Sequence, residues 1–296
     1  MQNSILNTVK IVTAMIAVTL APHAFTQSLY WDANGTDPGA GATPTGNFST
    51  DLFWNAVEDG TGTPAAWVPG SIAVFSAGND ASGGFTVTMG SAQTAGGVTV
   101  EEGVVTMAGT AALTLNGGAN INIANGSSWS IPASTVPLSA AGGFTKSGGG
   151  TLTLNTSASA LGAVNILGGV VATDSSARLA GTGTITIDGG TLRDTGTGNG
   201  SSVQVNHPIT IGGTGGRIET TGGFGIARLS QTVISGGTLT KGGASEFRVT
   251  GGNTFSKLVV ESGLYRIGNL VGATETGFGA VPGAFTADQI TLNGGG

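Results

Sequence analysis

The feature that most limits the fold is a repeated unit too short to fold alone. Residues 142–154 read Gly-Gly-Phe-Thr-Lys-Ser-Gly-Gly-Gly-Thr-Leu-Thr-Leu, and looser versions return as Gly-Gly-Thr-Leu-Arg-Asp at 189–194, Gly-Gly-Arg-Ile-Glu-Thr at 215–220 and Gly-Gly-Thr-Leu-Thr-Lys at 236–241. Each is a glycine turn followed by a few residues in which Thr or a charge alternates with an aliphatic. Alternation with period two marks a strand with one buried face. A four-residue strand buries too little by itself, so each copy needs another above and below it.

Other alternating runs extend the pattern: Phe85-Thr-Val-Thr-Met89, Ala112-Leu-Thr-Leu115, Asn120-Ile-Asn-Ile123 and Thr184-Ile-Thr-Ile187. Gly169, Gly190, Gly216, Gly237 and Gly263 serve as frame markers, separated by 21, 26, 21 and 26 residues. The second residue after each marker is Val171, Leu192, Ile218, Leu239 and Tyr265, apolar every time. The third is Ala172, Arg193, Glu219, Thr240 and Arg266, mostly polar. Successive strand residues face opposite ways, so this frame predicts one inward and one outward position per turn of chain. It predicts Arg193 beside Glu219 as a surface ion pair. The architecture that fits is an all-β, right-handed parallel β-helix of about three short strands per turn. Turns stacked at about 4.8 Å would make a rod about 40 Å long. A β-sandwich is the competing architecture, but its strands are longer and keep no such frame.

Composition agrees. Charged residues are 9% of the 296, against roughly 25% in ordinary domains. Mean hydropathy is +0.24, so a core can form, whereas disorder pairs low hydropathy with high charge. Net charge is −6 and the ten Lys and Arg are thinly spread, which argues against nucleic acid as a partner. Cysteine is lacking and there are two histidines, which removes cysteine metal sites and nearly removes histidine ones. No cofactor and no metal are expected.

Residues 1–26 read as an export signal. Lys10 precedes the apolar run 11–20, too short for a membrane span, and cleavage is expected after Ala24 or Thr26. Residues 27–84 differ from the rest, with Trp31, Trp54, Trp67, Phe48, Phe53 and Phe75 among prolines and carboxylates. They read as an N-terminal cap over the end of a stack that would otherwise expose strand edges. The sharper alternative is a carbohydrate-binding module with Trp31, Trp54 and Trp67 as candidate glycan contacts. Asp32-Ala-Asn-Gly-Thr-Asp37 reads as an Asx turn rather than a Ca²⁺ loop, since it lacks the spacing and closing Glu of an EF-hand. Residues 85–296 form the repeat body.

An enzyme on such a scaffold needs paired carboxylates on one face. The candidates are Asp174, Asp188, Asp194 and Glu219, and each reads as an isolated turn or surface carboxylate. A Ser-His-Asp arrangement would have to use His207, next to Pro208. No HExxH, P-loop or GxSxG occurs. The expectation is a non-catalytic protein, with a polysaccharide-active enzyme as the alternative.

Gly143-Phe-Thr-Lys-Ser-Gly-Gly-Gly-Thr-Leu-Thr-Leu154 resembles the autotransporter-associated β-strand repeat, and Leu239-Thr-Lys-Gly-Gly243 is a poorer copy 95 residues on. Tyr30-Trp-Asp-Ala-Asn-Gly35 resembles the start of exported proteins that carry these repeats. The resemblance implies a passenger-type β-helix on, or shed from, a Gram-negative cell surface, with a structural or adhesive role and extracellular glycans or matrix as partners. It also implies a C-terminal translocating barrel or anchor, expected beyond Leu292-Asn-Gly-Gly-Gly296, which reads as the middle of a repeat, so truncation at the C-terminus is the expectation. The family has no shared catalytic or binding residues to carry across.

Overall fold

A computed structural model of the chain describes residues 27–133, 135–156, 161–179, 181, 183–196, 207–222, 227–229, 233–249, 252–267, 277–284 and 286–295. The expected export signal lies outside them. The chain winds as a parallel β-solenoid, and the one helical turn among the described residues is the 3₁₀ segment Ser176–Leu179.

Two long parallel ladders carry the stack. The first face runs from Ser28–Trp31 through Ile72–Phe75 and the end of Gln93–Val100 to the end of Leu113–Ile123. It continues through Phe144–Ser147, Val164–Ile166, Ile185–Ile187 and Ile209–Ile211 to the starts of Ile234–Gly242 and Thr254–Val260. The second face stacks Gly84–Met89, Val104–Gly109, Ser128–Ile131, Thr151–Leu154, Val170–Thr173, Thr191–Asp194 and Gly216–Thr220. The later parts of Ile234–Gly242 and Thr254–Val260, and then Ile290–Leu292, complete it. The third face is thinner than three equal strands per turn would give. It narrows to the single-residue bridges Ala140–Leu161–Gly181 and widens again as Ala227–Leu229, Glu246–Val249 and Leu264–Ile267.

The core is a set of columns, one residue deep per turn. On the second face Phe85, Val105, Trp129, Leu152, Val171, Leu192 and Ile218 lie in register and are buried. On the first face Ile166, Ile187 and Ile211 do the same. Fully burying one such side chain is worth about 1.5–3 kcal/mol, and stacking supplies that burial where a lone strand cannot.

The sequence frame is right for Val171, Leu192 and Ile218 and fails after them. Four residues separate Ile211 from Gly216 at one corner, but only two separate Gly236 from Leu239 at the next. That shortening moves the register by two, so Leu239 stacks on Gly216 and Lys241 stacks on Ile218. A shift of two keeps the same facing, which leaves both Leu239 and Lys241 pointing inward. Gly263 belongs to a different corner. Tyr265 therefore stacks on Phe247 of the third face, not on Leu239.

Glycine is required where the chain turns from the first face to the second. Gly148 and Gly169 there have φ of +72° and +61°. A Cβ on Gly169 would run into the carbonyls of Gly148 and Gly150 in the turn beneath. Only glycine accepts that backbone and that approach without strain.

Candidate functional surfaces

The aromatic residues of the head form a core. Trp31, Trp54 and Trp67 are 0%, 1% and 8% exposed. Their rings meet one another, Phe48 and Phe75 at centroid distances between 4.5 and 6.5 Å. Each indole N–H is used inside the protein: Trp31 Nε1 donates to the Pro44 carbonyl (2.5 Å), Trp54 to Phe48 (3.1 Å) and Trp67 to Thr94 (3.1 Å). A sugar platform needs an open ring face and these rings have none, which corrects the glycan-contact alternative for the three tryptophans. Since Ser28–Trp31 and Ile72–Phe75 are strands of the first face, the aromatic cluster fills the first turns of the same ladder.

Asp32 is also structural. Its Oδ1 accepts from Asn34 N (3.1 Å), the Asx turn expected from sequence, and its Oδ2 accepts from Asn55 Nδ2 (2.8 Å). Burial pushes its carboxyl up, against the pull of the Asn55 and backbone bonds. Nearby, Pro38, Gly39, Val57, Glu58, Asp59, Gly78, Asn79 and Asp80 line an open groove of about 700 Å³. Residues 27–145 contain no Lys, Arg or His, so this end of the stack is negative throughout. Among the described residues, no three His, Cys, Asp or Glu side chains converge to hold a metal.

The four carboxylates weighed as catalytic groups are engaged separately. Asp174 pairs with Arg178 at 3.0 Å. Asp188 Oδ1 accepts from Thr214 N (2.8 Å) and from its hydroxyl, which holds the carboxyl below its usual range. Asp194 Oδ1 accepts from Gly196 N (2.8 Å). Glu219 sits between Arg193 (2.6 Å) and Arg217 (2.7 Å), and Arg217 also reaches Glu261. Burial pushes the Glu219 carboxyl up, but its arginine bonds outweigh that and hold it below the carboxylate range. The expected Arg193–Glu219 pair is thus present, in direct register across adjacent strands. His207 is buried with Nδ1 facing the Gly183 carbonyl (2.7 Å) and Nε2 facing that of Leu179. Neither nitrogen faces a serine hydroxyl or a carboxylate, the partners a hydrolytic triad would give it.

Sequence reasoning missed the two lysines of the Thr-Lys repeats, because it placed charge outward. Both are fully buried. Lys146 lies in the first-face column between Ile121 and Ile166, and Lys241 lies in the second-face column between Ile218 and Val260. Lys146 Nζ donates to the carbonyls of Ser147 (2.6 Å), Gly148 (3.0 Å) and Gly168 (3.3 Å). Lys241 Nζ donates to those of Gly242 (2.6 Å), Gly243 (2.7 Å) and Ser262 (2.9 Å). The two cages have one plan: two carbonyls from the lysine's own corner and a third from the corner of the next turn. They stand at different corners, since Lys146 ends a first-face strand and Lys241 a second-face one. Burial pulls both ammonium groups down to about 8. The signal was present in the alternation Phe144-Thr145-Lys146, where Lys146 shares the inward parity of Phe144.

The outward side of the first face is different in kind. Asn120, Thr145, Asn165, Thr186, Thr210, Ser235 and Thr254 form one column, a single neutral polar residue per turn. The corresponding part of the second face carries the Arg193–Glu219–Arg217 cluster.

Comparison with known proteins brings out an adhesin, the BmaC autotransporter of Brucella suis biovar 1 (strain 1330), 31% identical over 227 residues. The aligned stretch is 75% of this chain and 6% of that protein, so the chain spans a small part of its relative's length. No family model matches. No solved structure matches either. The chain is therefore similar to a segment of an autotransporter adhesin and folds as a parallel β-solenoid.

Proposed function

We propose that the chain is a passenger segment of an exported adhesin: a stiff parallel stack that presents its outward faces at a bacterial surface and catalyses nothing. The observation that carries this reading is a similarity to an autotransporter adhesin over most of the chain, joined to a solenoid whose first face is an uninterrupted neutral polar column. The two caged-lysine corners at 144–154 and 239–243 support the finer assignment to the autotransporter-associated β-strand repeat. Residues 1–26 would direct export, and the protein would act at the outer membrane or after release from it. Its contacts would be individually weak, with attachment coming from many copies acting together.

The test is display of the chain on a non-adherent bacterium through an unrelated surface anchor. Attachment to cultured cells and to immobilised matrix is then counted. The reading expects attachment at least tenfold over the anchor alone. Counts equal to the anchor alone on every surface would overturn it.

A further inference from the structure

We propose that the outward column of the first face binds an extended, neutral, β-linked polysaccharide lying along the solenoid axis, one sugar per turn. This deepens the adhesin reading and rests on it. The column advances one strand per turn, about 4.8 Å, and an extended β-linked glycan advances by nearly the same step per sugar. From Asn120 to Thr254 the column is about 29 Å long, room for about six sugars. Among the described residues, the side chains of Asn165, Thr186 and Thr210 make no hydrogen bond within the protein, so their donors and acceptors are open to a ligand.

Apolar side chains flank the column at three of its turns. Two residues before the column positions stand Pro208 and Val233, the latter 44% exposed. Two residues after Asn165 stands Leu167, 51% exposed. A polar strip flanked by a few apolar side chains suits a sugar, which presents hydroxyl edges and C–H faces. Charge selects among glycans. The column itself carries no charge and Asp188 beside it carries a negative one, so an acidic polymer finds no cation in the column and a neutral polymer meets no mismatch.

The probes are β-1,4-linked glucose trimer and hexamer, with polygalacturonate as the acidic comparison, applied to the purified full chain. The hexamer is expected to bind at least tenfold more tightly than the trimer, because it engages more turns. The double variant T186E/T210E is expected to lose at least tenfold in hexamer affinity, and T191E on the second face no more than twofold. Because paired glutamates could unsettle the stack, T186V/T210V, which keeps the side-chain shape and removes the hydroxyls, is expected to lose at least threefold. A hexamer that binds no better than the trimer, an equal loss in T191E, or retention of polygalacturonate alone would each overturn the inference. If the displayed chain attaches to cells and T186V/T210V attaches equally well, this inference fails while the adhesin reading stands. If the wild-type chain attaches to nothing, the adhesin reading fails first.

Discussion

Replacing Lys146 by Met should abolish a rise in stability that the native chain shows as the solution becomes alkaline. The unfolded chain keeps a lysine proton up to its ordinary value of 10.5, whereas the buried corner lets it go near 8. Between those values the unfolded state binds more protons, so stability increases with pH. Below pH 8 both states are charged and the full burial penalty remains. By pH 9.5 the relief amounts to at most about 2 kcal/mol per lysine, since each pH unit of displacement is worth about 1.4 kcal/mol. It is a ceiling, because three carbonyl bonds to the ammonium favour the charged form and oppose burial. Met keeps the apolar stem in the column between Ile121 and Ile166 and removes the charge. The carbonyls it abandons belong to Ser147, Gly148 and Gly168, corner residues that are only partly buried, so the variant should lie within about 1 kcal/mol of the native chain at pH 7. The assay is urea unfolding followed by far-UV circular dichroism at pH 7, 8, 8.8 and 9.5. The scan stops there because Tyr30 and Tyr265 are both pushed above 10 by burial, which acts with the opposite sign at higher pH. The native midpoint should climb over this range, K146M should climb about half as much, and K146M/K241M should stay level. A native midpoint that is flat or falling from pH 8 to 9.5 would refute the reasoning.

Three other expectations follow from the same packing. Trp31→Ala empties a fully buried site in the head and should cost about 3–5 kcal/mol; hydrogen exchange should rise at 28–31 and 72–75 but not at 209–220, because a solenoid transmits strain mainly to neighbouring turns. Gly169→Ala should cost about 2–3 kcal/mol, measured as a drop in melting temperature, because it combines a φ of +61° with a collision against the turn beneath. Glu219→Gln should cost about 1 kcal/mol at pH 7. Its carboxyl is held below the usual range, so its contribution is present above that range and disappears as pH falls through its lowered value. The gap between native and variant melting temperatures should therefore narrow as pH falls below the usual carboxylate range, and a gap that stays unchanged down to full carboxylate protonation would remove the ion cluster from the account.

Much of the architecture was legible because burial here follows a simple parity. Val171, Leu192 and Ile218 announce their facing by alternation, and Arg193 and Glu219 then follow as outward neighbours. What parity does not encode is the number of residues spent in each corner. The corner between Gly236 and Leu239 is shorter by two than the one before it, and nothing in Gly-Gly-Thr-Leu-Thr-Lys signals that. The same blind spot hid Lys241. Lys241 stands at inward parity, where a cation is not expected because burying one without a carboxylate is costly, and the compensating carbonyls come partly from Ser262, twenty-one residues away. The aromatic head was legible as a core in composition. That Trp31 donates to Pro44 and Trp67 to Thr94, leaving no indole N–H for a ligand, needed the fold.

The claim beneath every other is that residues far apart in sequence lie directly over one another on a face. The chain has no native cysteine, so a pair of introduced cysteines tests this cleanly. Thr186 and Thr210 are register partners on adjacent parallel strands, within the Cα separation a disulfide accepts. Thr186 and Thr191, though close in sequence, lie on different faces. Under mild oxidation T186C/T210C should close a disulfide rapidly in the folded chain, and T186C/T191C should not. Fast closure of the second pair with none in the first would contradict the stacked solenoid outright.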